Sequence, residues 1–256
     1  MNATVKIKNT IFGEGIPKIC IPLTDTNLEE LKKSIKAIKK IPHDFIEWRA
    51  DFYNNIDISE VRTQAMTFLS AQFEDTPILF TIRTKAEGGK LDISTEDYIK
   101  LNRSVINSGL MDLLDIELSQ GEQTMTTLVA EAHQSGIYVI GSLHDNFSTP
   151  PKEQMIQSLC RMQQLGADIV KLAATPQTSR DVLTLLDATL TMQEEHAETP
   201  FITISMGRQG MVSRVCGSVF GSSVTFGTAG KASAPGQLPA DLLSTFLYTL
   251  KINGLN

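Results

Sequence analysis

Short apolar runs recur along this chain, and each is followed by a stretch whose apolar residues return every three or four positions. The first run is Lys18-Ile19-Cys20-Ile21-Pro22-Leu23, and residues 26–40 then place Leu28, Leu31, Ile35 and Ile38 at helical spacing. Phe45-Ile46-Glu47-Trp48-Arg49 is the second run, with a helical pattern through Ile58, Val61, Ala65, Phe68 and Leu69. Pro77-Ile78-Leu79-Phe80-Thr81-Ile82-Arg83 is the third, and a helix is predicted from about Ser94, an N-cap type, to near Gly109. Asp112 to Glu117 and Gly136 to Ser142 read as the fourth and fifth strands, separated by a helix from about Glu122 to Ser135. Thr149-Pro150 reads as N-cap and first helical residue of the next helix, which stops before Gly166. Residues 168–173 form the sixth strand, with a helix from about Ser179 to His196. Pro200 to Ser205 is the seventh strand, with a helix from about Met211 to Phe220, and Ser223 to Phe226 is the eighth, with a helix starting near Pro239. A weak alternation over residues 4–13 predicts a small hairpin ahead of the repeat.

Eight strands alternating with helices through short links imply a parallel sheet. Eight repeats in a chain of this length imply one closed (β/α)₈ barrel, an α/β TIM barrel, with a short N-terminal β-hairpin. An open doubly wound sheet is the competitor. It usually carries a glycine fingerprint after its first strand, and here Thr24-Asp25-Thr26 follows instead. No linker or low-complexity segment divides residues 1–256 into two units.

Composition narrows the function. The 256 residues are 41% hydrophobic and 20% charged, which suits a globular protein with a sizeable core. A net charge of −6, with no Lys/Arg block, argues against nucleic acid as a partner. An anionic small-molecule substrate would have to be held by a few local arginines. Cys20, Cys160 and Cys216 are odd in number and far apart, so neither a disulfide framework nor a zinc site is expected. No apolar leader opens the chain and no run approaches transmembrane length, so no membrane association is expected and the reducing cytoplasm is the expected compartment.

The sixth strand, Asp168-Ile169-Val170-Lys171-Leu172-Ala173, carries a lysine in its middle. Burial of an ammonium is costly and lowers its pKa, and the neutral amine is a nucleophile that forms imines with carbonyl compounds. The plainer alternative is a lysine whose stem reaches out to water. In a barrel the site forms at the C-terminal ends of the strands. Those ends carry Glu47 and Arg49, Arg83 with Glu87 beyond it, Ser142 and His144, and Lys171, with Arg214 in the helix after strand seven. The loop after strand eight, residues 227–237, is rich in small residues. Beside Lys171, His144 becomes a candidate acid/base and Glu87 a group that could hold its tautomer. Arg83 and Glu47 could pair across neighbouring strand ends, and Arg214 could be a surface charge or a bidentate carboxylate clamp. Gly230-Lys231-Ala232 is no P-loop, because Thr225 stands where its first glycine belongs. His43, His133, His144 and His196 lack metal-ligand spacing, and no G-x-S-x-G elbow occurs.

Segments spread over nearly the whole chain, in order, resemble the type I 3-dehydroquinate dehydratases. They are Glu47-Trp48-Arg49-Ala50-Asp51, Thr81-Ile82-Arg83 with Glu87-Gly88-Gly89, Asp115-Ile116-Glu117-Leu118, Ser142-Leu143-His144-Asp145, Gly166 to Lys171, Ser205-Met206-Gly207, and Phe226-Gly227 through Ala232 to Gln237. The resemblance implies dehydration of 3-dehydroquinate to 3-dehydroshikimate through a lysine imine, within the shikimate pathway of aromatic amino acid biosynthesis. It implies that Lys171 forms the imine, that His144 shuttles the proton and that Glu87 orients it. Arg214, Ser233 and Gln237 would hold the substrate carboxylate and a nearby hydroxyl. Glu47, Arg49 and Arg83 would bind the remaining hydroxyls, with Trp48 in the same binding set, and Met206 would line the pocket. Neither metal nor organic cofactor is expected, and a homodimer is. Two departures stand out: Pro22 replaces a serine common in the family, which puts a minor substrate contact in question, and Asn146 intervenes before Phe147. A class I aldolase, which would bind phosphate, and a non-catalytic barrel that binds a small acid are the alternatives.

Overall fold

The computed structural model describes residues 3–230 and 232–252. Lys231, part of the predicted strand-eight loop, lies outside the described residues. Strands β1 (Val5–Ile7) and β2 (Thr10–Phe12) pair antiparallel as the expected hairpin. The repeat then runs β3 (Lys18–Leu23), α1 (Leu28–Ile38), β4 (Phe45–Arg49), α2 (Ser59–Gln72), β5 (Ile78–Thr81), α3 (Thr95–Ser108), β6 (Leu113–Glu117) and α4 (Glu122–Gln134). It continues with β7 (Tyr138–Asp145), α5 (Lys152–Gln164), β8 (Ile169–Ala174), α6 (Ser179–Thr191), β9 (Phe201–Ser205), α7 (Gly217–Phe220), β10 (Val224–Thr228), β11 (Leu238–Pro239) and α8 (Ala240–Ile252). All pairings in the main sheet are parallel, in the order β11-β10-β3-β4-β5-β6-β7-β8-β9. The curl closes between β9 and β10, where Ser223 N–H donates to Phe201 O (2.8 Å) and Thr203 N–H to Ser222 Oγ (3.1 Å). This is the predicted α/β barrel. Among the described residues no helix is long and apolar enough to cross a membrane.

Strand alternation divides the core into two. Outward residues such as Ile46, Trp48, Phe80, Leu114, Val170 and Leu172 meet the helices in one cluster. Inward residues Cys20, Phe45, Leu79, Leu113, Ile140, Ile169, Ile202 and Val224 form a second, apolar cluster at the strand beginnings. The hairpin belongs to that second cluster through Ile7 and Phe12, and Phe12 meets Phe45 edge-on at 5.1 Å. The hairpin thus stops the N-terminal mouth of the barrel with apolar side chains. The next inward residues along several strands are polar.

Local boundaries differ from the sequence reading, most clearly at three places. The α5 helix begins at Lys152, not Pro150, because Pro151 disfavours helical geometry for the residue before it. Residues 211–220 are a 3₁₀ turn (Met211–Arg214) followed by the one-turn α7, not one helix. The two-residue β11 adds a rung beside β10 that no pattern in the sequence announces. The α3 boundaries match: Ser94 Oγ accepts from Asp97 N–H, and Gly109 takes φ +63° at the C-cap.

Candidate active site

The inward positions beyond the apolar layer carry the polar chemistry. On β8, Ile169, Lys171 and Ala173 point inward and alternate with Val170 and Leu172 in the outer cluster. Lys171 is buried, and its Nζ lies 4.3 Å from the centroid of the Phe226 ring. Burial pushes its pKa below the ordinary lysine value, opposed by the nearby Glu47 and Asp115 carboxylates. In the β7–β8 ladder, Ser142 is the register partner of Lys171, and His144 stands two residues further along β7, beside Ala173. His144 therefore faces the same interior, one layer closer to the open end.

His144 Nδ1 is 2.8 Å from Glu87 Oε2. Burial, reinforced by Arg83, Lys171 and Arg49, holds the imidazole well below its usual pKa, which favours its neutral form. Glu87 is carried inward by a 3₁₀ turn (Lys85–Glu87) that Gly88 closes at φ +82°. Burial pushes the Glu87 carboxyl up to about 8, opposed by Arg83 and helped by the negative charges of Glu117 and Asp115. The two groups form a proton-holding pair whose titration belongs to both.

Arg83 is the hub of the cluster. Its Nη1 donates to Glu87 (3.2 Å), Glu117 (2.8 Å) and Ser142 Oγ (3.0 Å), and its Nη2 donates to Asp115 (2.8 Å). The Ser142 hydroxyl donates to Asp115 at 2.6 Å. Glu47 instead accepts from the Thr81 hydroxyl at 2.9 Å, so no Glu47–Arg83 ion pair forms among the described residues. Arg49 is clamped bidentate by Asp51, at 2.7 and 2.8 Å.

The opposite wall comes from β9, β10 and the loops after them. Arg214 is buried and has no carboxylate partner among the described residues; its Nη2 donates to Pro235 O (3.1 Å) and its Nε has no partner. Burial alone pushes its pKa down to about 10. A desolvated guanidinium without a counter-ion is built to receive an anion. Gly207 N–H donates to the same Pro235 carbonyl (3.2 Å). A Cβ on Gly236 would lie 2.2 Å from Gly207 O, so only glycine permits this crossing. The loop is tied internally by Ser233 N–H to Gln237 Oε1 and Gln237 Nε2 to Ser233 Oγ, both 2.8 Å. Met206 packs against the inner cluster, with its N–H on Ala174 O (2.8 Å).

The site is thus a buried amine, an imidazole in contact with a carboxyl group, and a guanidinium without a counter-ion around one barrel mouth. A model of the family described as type I 3-dehydroquinase matches residues 19–254. The chain belongs to the type I 3-dehydroquinase family. It is 46% identical over 244 residues to a 3-dehydroquinate dehydratase of Clostridium novyi, covering 95% of this chain and 96% of that one. Against a 3-dehydroquinate dehydratase of Bacillus licheniformis it is 45% identical over 253 residues, 99% of this chain and 100% of the relative. The solved type I 3-dehydroquinate dehydratase of Clostridium difficile, described with covalent modified comenic acid, superimposes with a TM-score of 0.94 at 42% identity, covering 98% of this chain and 99% of that chain.

Within this type I 3-dehydroquinase barrel, one expected binding residue stands apart. The Trp48 side chain points outward, packed edge-on against Tyr53 (5.4 Å) and Phe80 (5.5 Å), while Glu47 and Arg49 take the inward parity. Its indole belongs to the helix-facing layer. Conversely, sequence reasoning assigned no role to Asp51, Thr81, Asp115, Glu117 or Ser119, all of which hold the cluster. The signal for Asp115 and Glu117 was present: they alternate with Leu114 and Ile116 on an otherwise apolar strand. Of the two departures, Pro22 lies in the inward register opposite Glu47. The Asn146 side chain fits against Gly88, while Asp145 Oδ1 accepts from Phe147 N–H (2.9 Å) and Ser148 N–H (2.7 Å) and leaves the Phe147 ring exposed.

Proposed function

We propose that the dehydration of 3-dehydroquinate, the reaction of this family, runs here through an imine on Lys171, with His144 moving the proton and Glu87 orienting it. The neutral Lys171 amine adds to the substrate ketone, and the carbinolamine takes up one proton from solvent and loses its hydroxyl as water, giving a protonated imine. That positive charge draws electrons from the neighbouring carbon, whose proton passes to His144 Nε2, and the enamine forms. The enamine expels the β-hydroxyl, which takes a proton from the imidazolium and departs as water. Hydrolysis of the imine frees 3-dehydroshikimate and restores the lysine. The C–O electron pair leaves with the departing water, the proton taken up in forming the imine is returned on its hydrolysis, and one histidine serves both proton transfers of the elimination.

The observation that carries this reading is the interior placement of Lys171, one layer below a His144–Glu87 pair and with its pKa lowered by burial. The orphan guanidinium of Arg214 supports a role in holding the substrate carboxylate, with Ser233 and Gln237 on the adjoining loop, and Met206 lining the wall. Glu47 and Arg49 serve ring hydroxyls. Arg83, whose donors meet three carboxylates, contributes chiefly by holding the cluster together. The unpaired guanidinium also fits phosphate, but the family match and the named relatives favour dehydration over aldol cleavage. We take residues 1–256 as one catalytic unit, acting as a homodimer in a reducing cytoplasm, which the free Cys20, Cys160 and Cys216 suit; light scattering on the eluting protein tests the dimer.

The decisive experiment is borohydride trapping with 3-dehydroquinate, followed by digestion and mass spectrometry. An adduct on Lys171, absent from Lys171→Ala along with nearly all turnover, is expected. His144→Ala should still be trapped but turn over about 10²–10⁴-fold more slowly. Water elimination with no adduct would refute the imine route.

A further inference from the structure

Glu87 has two carboxylate oxygens with different company. Oε2 meets His144 Nδ1 (2.8 Å) and Arg83 Nη1 (3.2 Å). Oε1 makes one hydrogen bond among the described residues, accepting from the Ser119 hydroxyl at 2.5 Å. Ser119 sits outside the strand, in the 3₁₀ turn (Leu118–Gln120) that follows β6 directly after Glu117. Its backbone is fixed by that turn, which Gly121 N–H closes on Leu118 O at 3.0 Å. The serine therefore reaches the catalytic pair from a neighbouring element without touching the imidazole.

We propose that Ser119 is a positioning residue for the proton-transfer pair, its hydroxyl pinning Oε1 of Glu87 so that Oε2 faces His144 Nδ1. The inference rests on the reading of His144 as proton shuttle and extends it to a residue that touches no substrate. A carboxylate held at one oxygen only would be free to turn about its last side-chain torsion, which has broad minima. With Ser119 on one oxygen and the imidazole on the other, the carboxyl plane is fixed. A hydroxyl donor also favours the charged form of a carboxylate over the neutral form. That matters because the other influences conflict. Burial, with Glu117 and Asp115 on β6, opposes the ionised carboxyl; Arg83, just beyond the end of β5, favours it. His144 on β7 is the partner itself, and its neutral form is favoured by burial with Arg83, Lys171 on β8 and Arg49 on β4. The Ser119 hydrogen bond acts with Arg83 to keep the pair able to accept a proton at Nε2.

The test compares Ser119→Ala and Ser119→Thr with the parent protein, measuring kcat and KM for 3-dehydroquinate across the neutral and alkaline range. His144→Ala and borohydride trapping on Lys171 serve as controls. Ser119→Ala is expected to lower kcat about ten- to hundredfold with KM little changed, as for a misaligned catalytic group. Its acid limb should move to higher pH, because the carboxyl has lost a donor that favoured its ionised form. Ser119→Thr, which keeps the hydroxyl, should restore both, and trapping on Lys171 should proceed in all three. An Ala profile that superimposes on the parent, an equal loss in Ala and Thr, or a change confined to KM would overturn the proposal. Parent-like turnover in His144→Ala would instead overturn the proton-shuttle reading beneath it, so the two failures are distinguishable.

Discussion

Lys171 shows how far a single residue depends on its layer. Val170 and Leu172, its neighbours in sequence, face the helices, so Lys171 takes the inward parity and is buried in the barrel interior. Burial lowers its pKa, and Glu47 is the first of the charges that pull it back up, followed by Asp115. The balance can be moved at one position. Glu47→Gln removes a negative neighbour, so the ammonium loses stabilisation, its pKa falls further, and the neutral amine appears at lower pH. The rate of borohydride-trapped adduct formation at saturating 3-dehydroquinate should therefore reach half its maximum at a lower pH in the variant than in the parent. Coincident midpoints would show that Glu47 does not act on the lysine, and an upward shift would reverse the sign argued here.

At the scale of elements, the barrel separates stability from chemistry along its axis. The hairpin and the apolar inner layer occupy the strand beginnings, and the polar layers occupy the strand ends. Phe12 is fully buried at the stoppered mouth and meets Phe45 edge-on. Phe12→Ala should destabilise the fold by about 3–5 kcal/mol, the usual range for a buried phenylalanine, yet leave kcat near the parent value. Denaturant unfolding and steady-state rates check both halves; a large drop in kcat of the folded variant would show that the plug and the site are coupled. This division was legible in the sequence as far as periodicity reaches. Eight strand–helix repeats, the hairpin and the α3 caps follow from apolar spacing and cap residues; Lys171 within strand six, His144 at the end of strand five, Glu87 beyond strand three and Arg214 after strand seven stand out by their place in the barrel, and their roles follow from the family resemblance. Strand parity across Glu47-Trp48-Arg49 also sends the indole outward. What periodicity could not supply was contact across the barrel. The 3₁₀ turns bearing Glu87 and Ser119, the β11 rung and the break between Arg214 and α7 are too short to have a period of their own. They are fixed by partners distant in sequence, such as Pro235 for Arg214 and His144 for Glu87.

The whole molecule sets a catalytic interior against its own stability. Glu47, Asp51, Glu87, Asp115 and Glu117 are all buried, facing the buried Arg49, Arg83 and Lys171. Glu87 shows the cost of that placement: burial first, and then the charges of Glu117 and Asp115, push its carboxyl up to about 8 from an ordinary 4.5. Linkage fixes the sign of the consequence. The folded-state value exceeds the unfolded one, so the folded protein binds the extra proton more tightly, and the stabilisation this provides is whole below about 4.5 and lost as pH rises through about 8. Glu87→Gln cannot titrate and keeps its stability over that window. The variant should therefore gain on the parent as pH rises, by about 2–5 kcal/mol between mildly acidic and mildly alkaline solution, at the order of magnitude that such a shift implies. Urea unfolding of both proteins at the two pH values measures it, and the comparison of differences cancels any effect of the substitution that does not depend on pH. The same variant should turn over slowly, because a neutral amide cannot stabilise the imidazolium as a carboxylate does. A stability difference that stays constant with pH would mean the Glu87 carboxyl is ionised throughout, and that the other carboxylates, not Glu87, absorb the repulsion of the site.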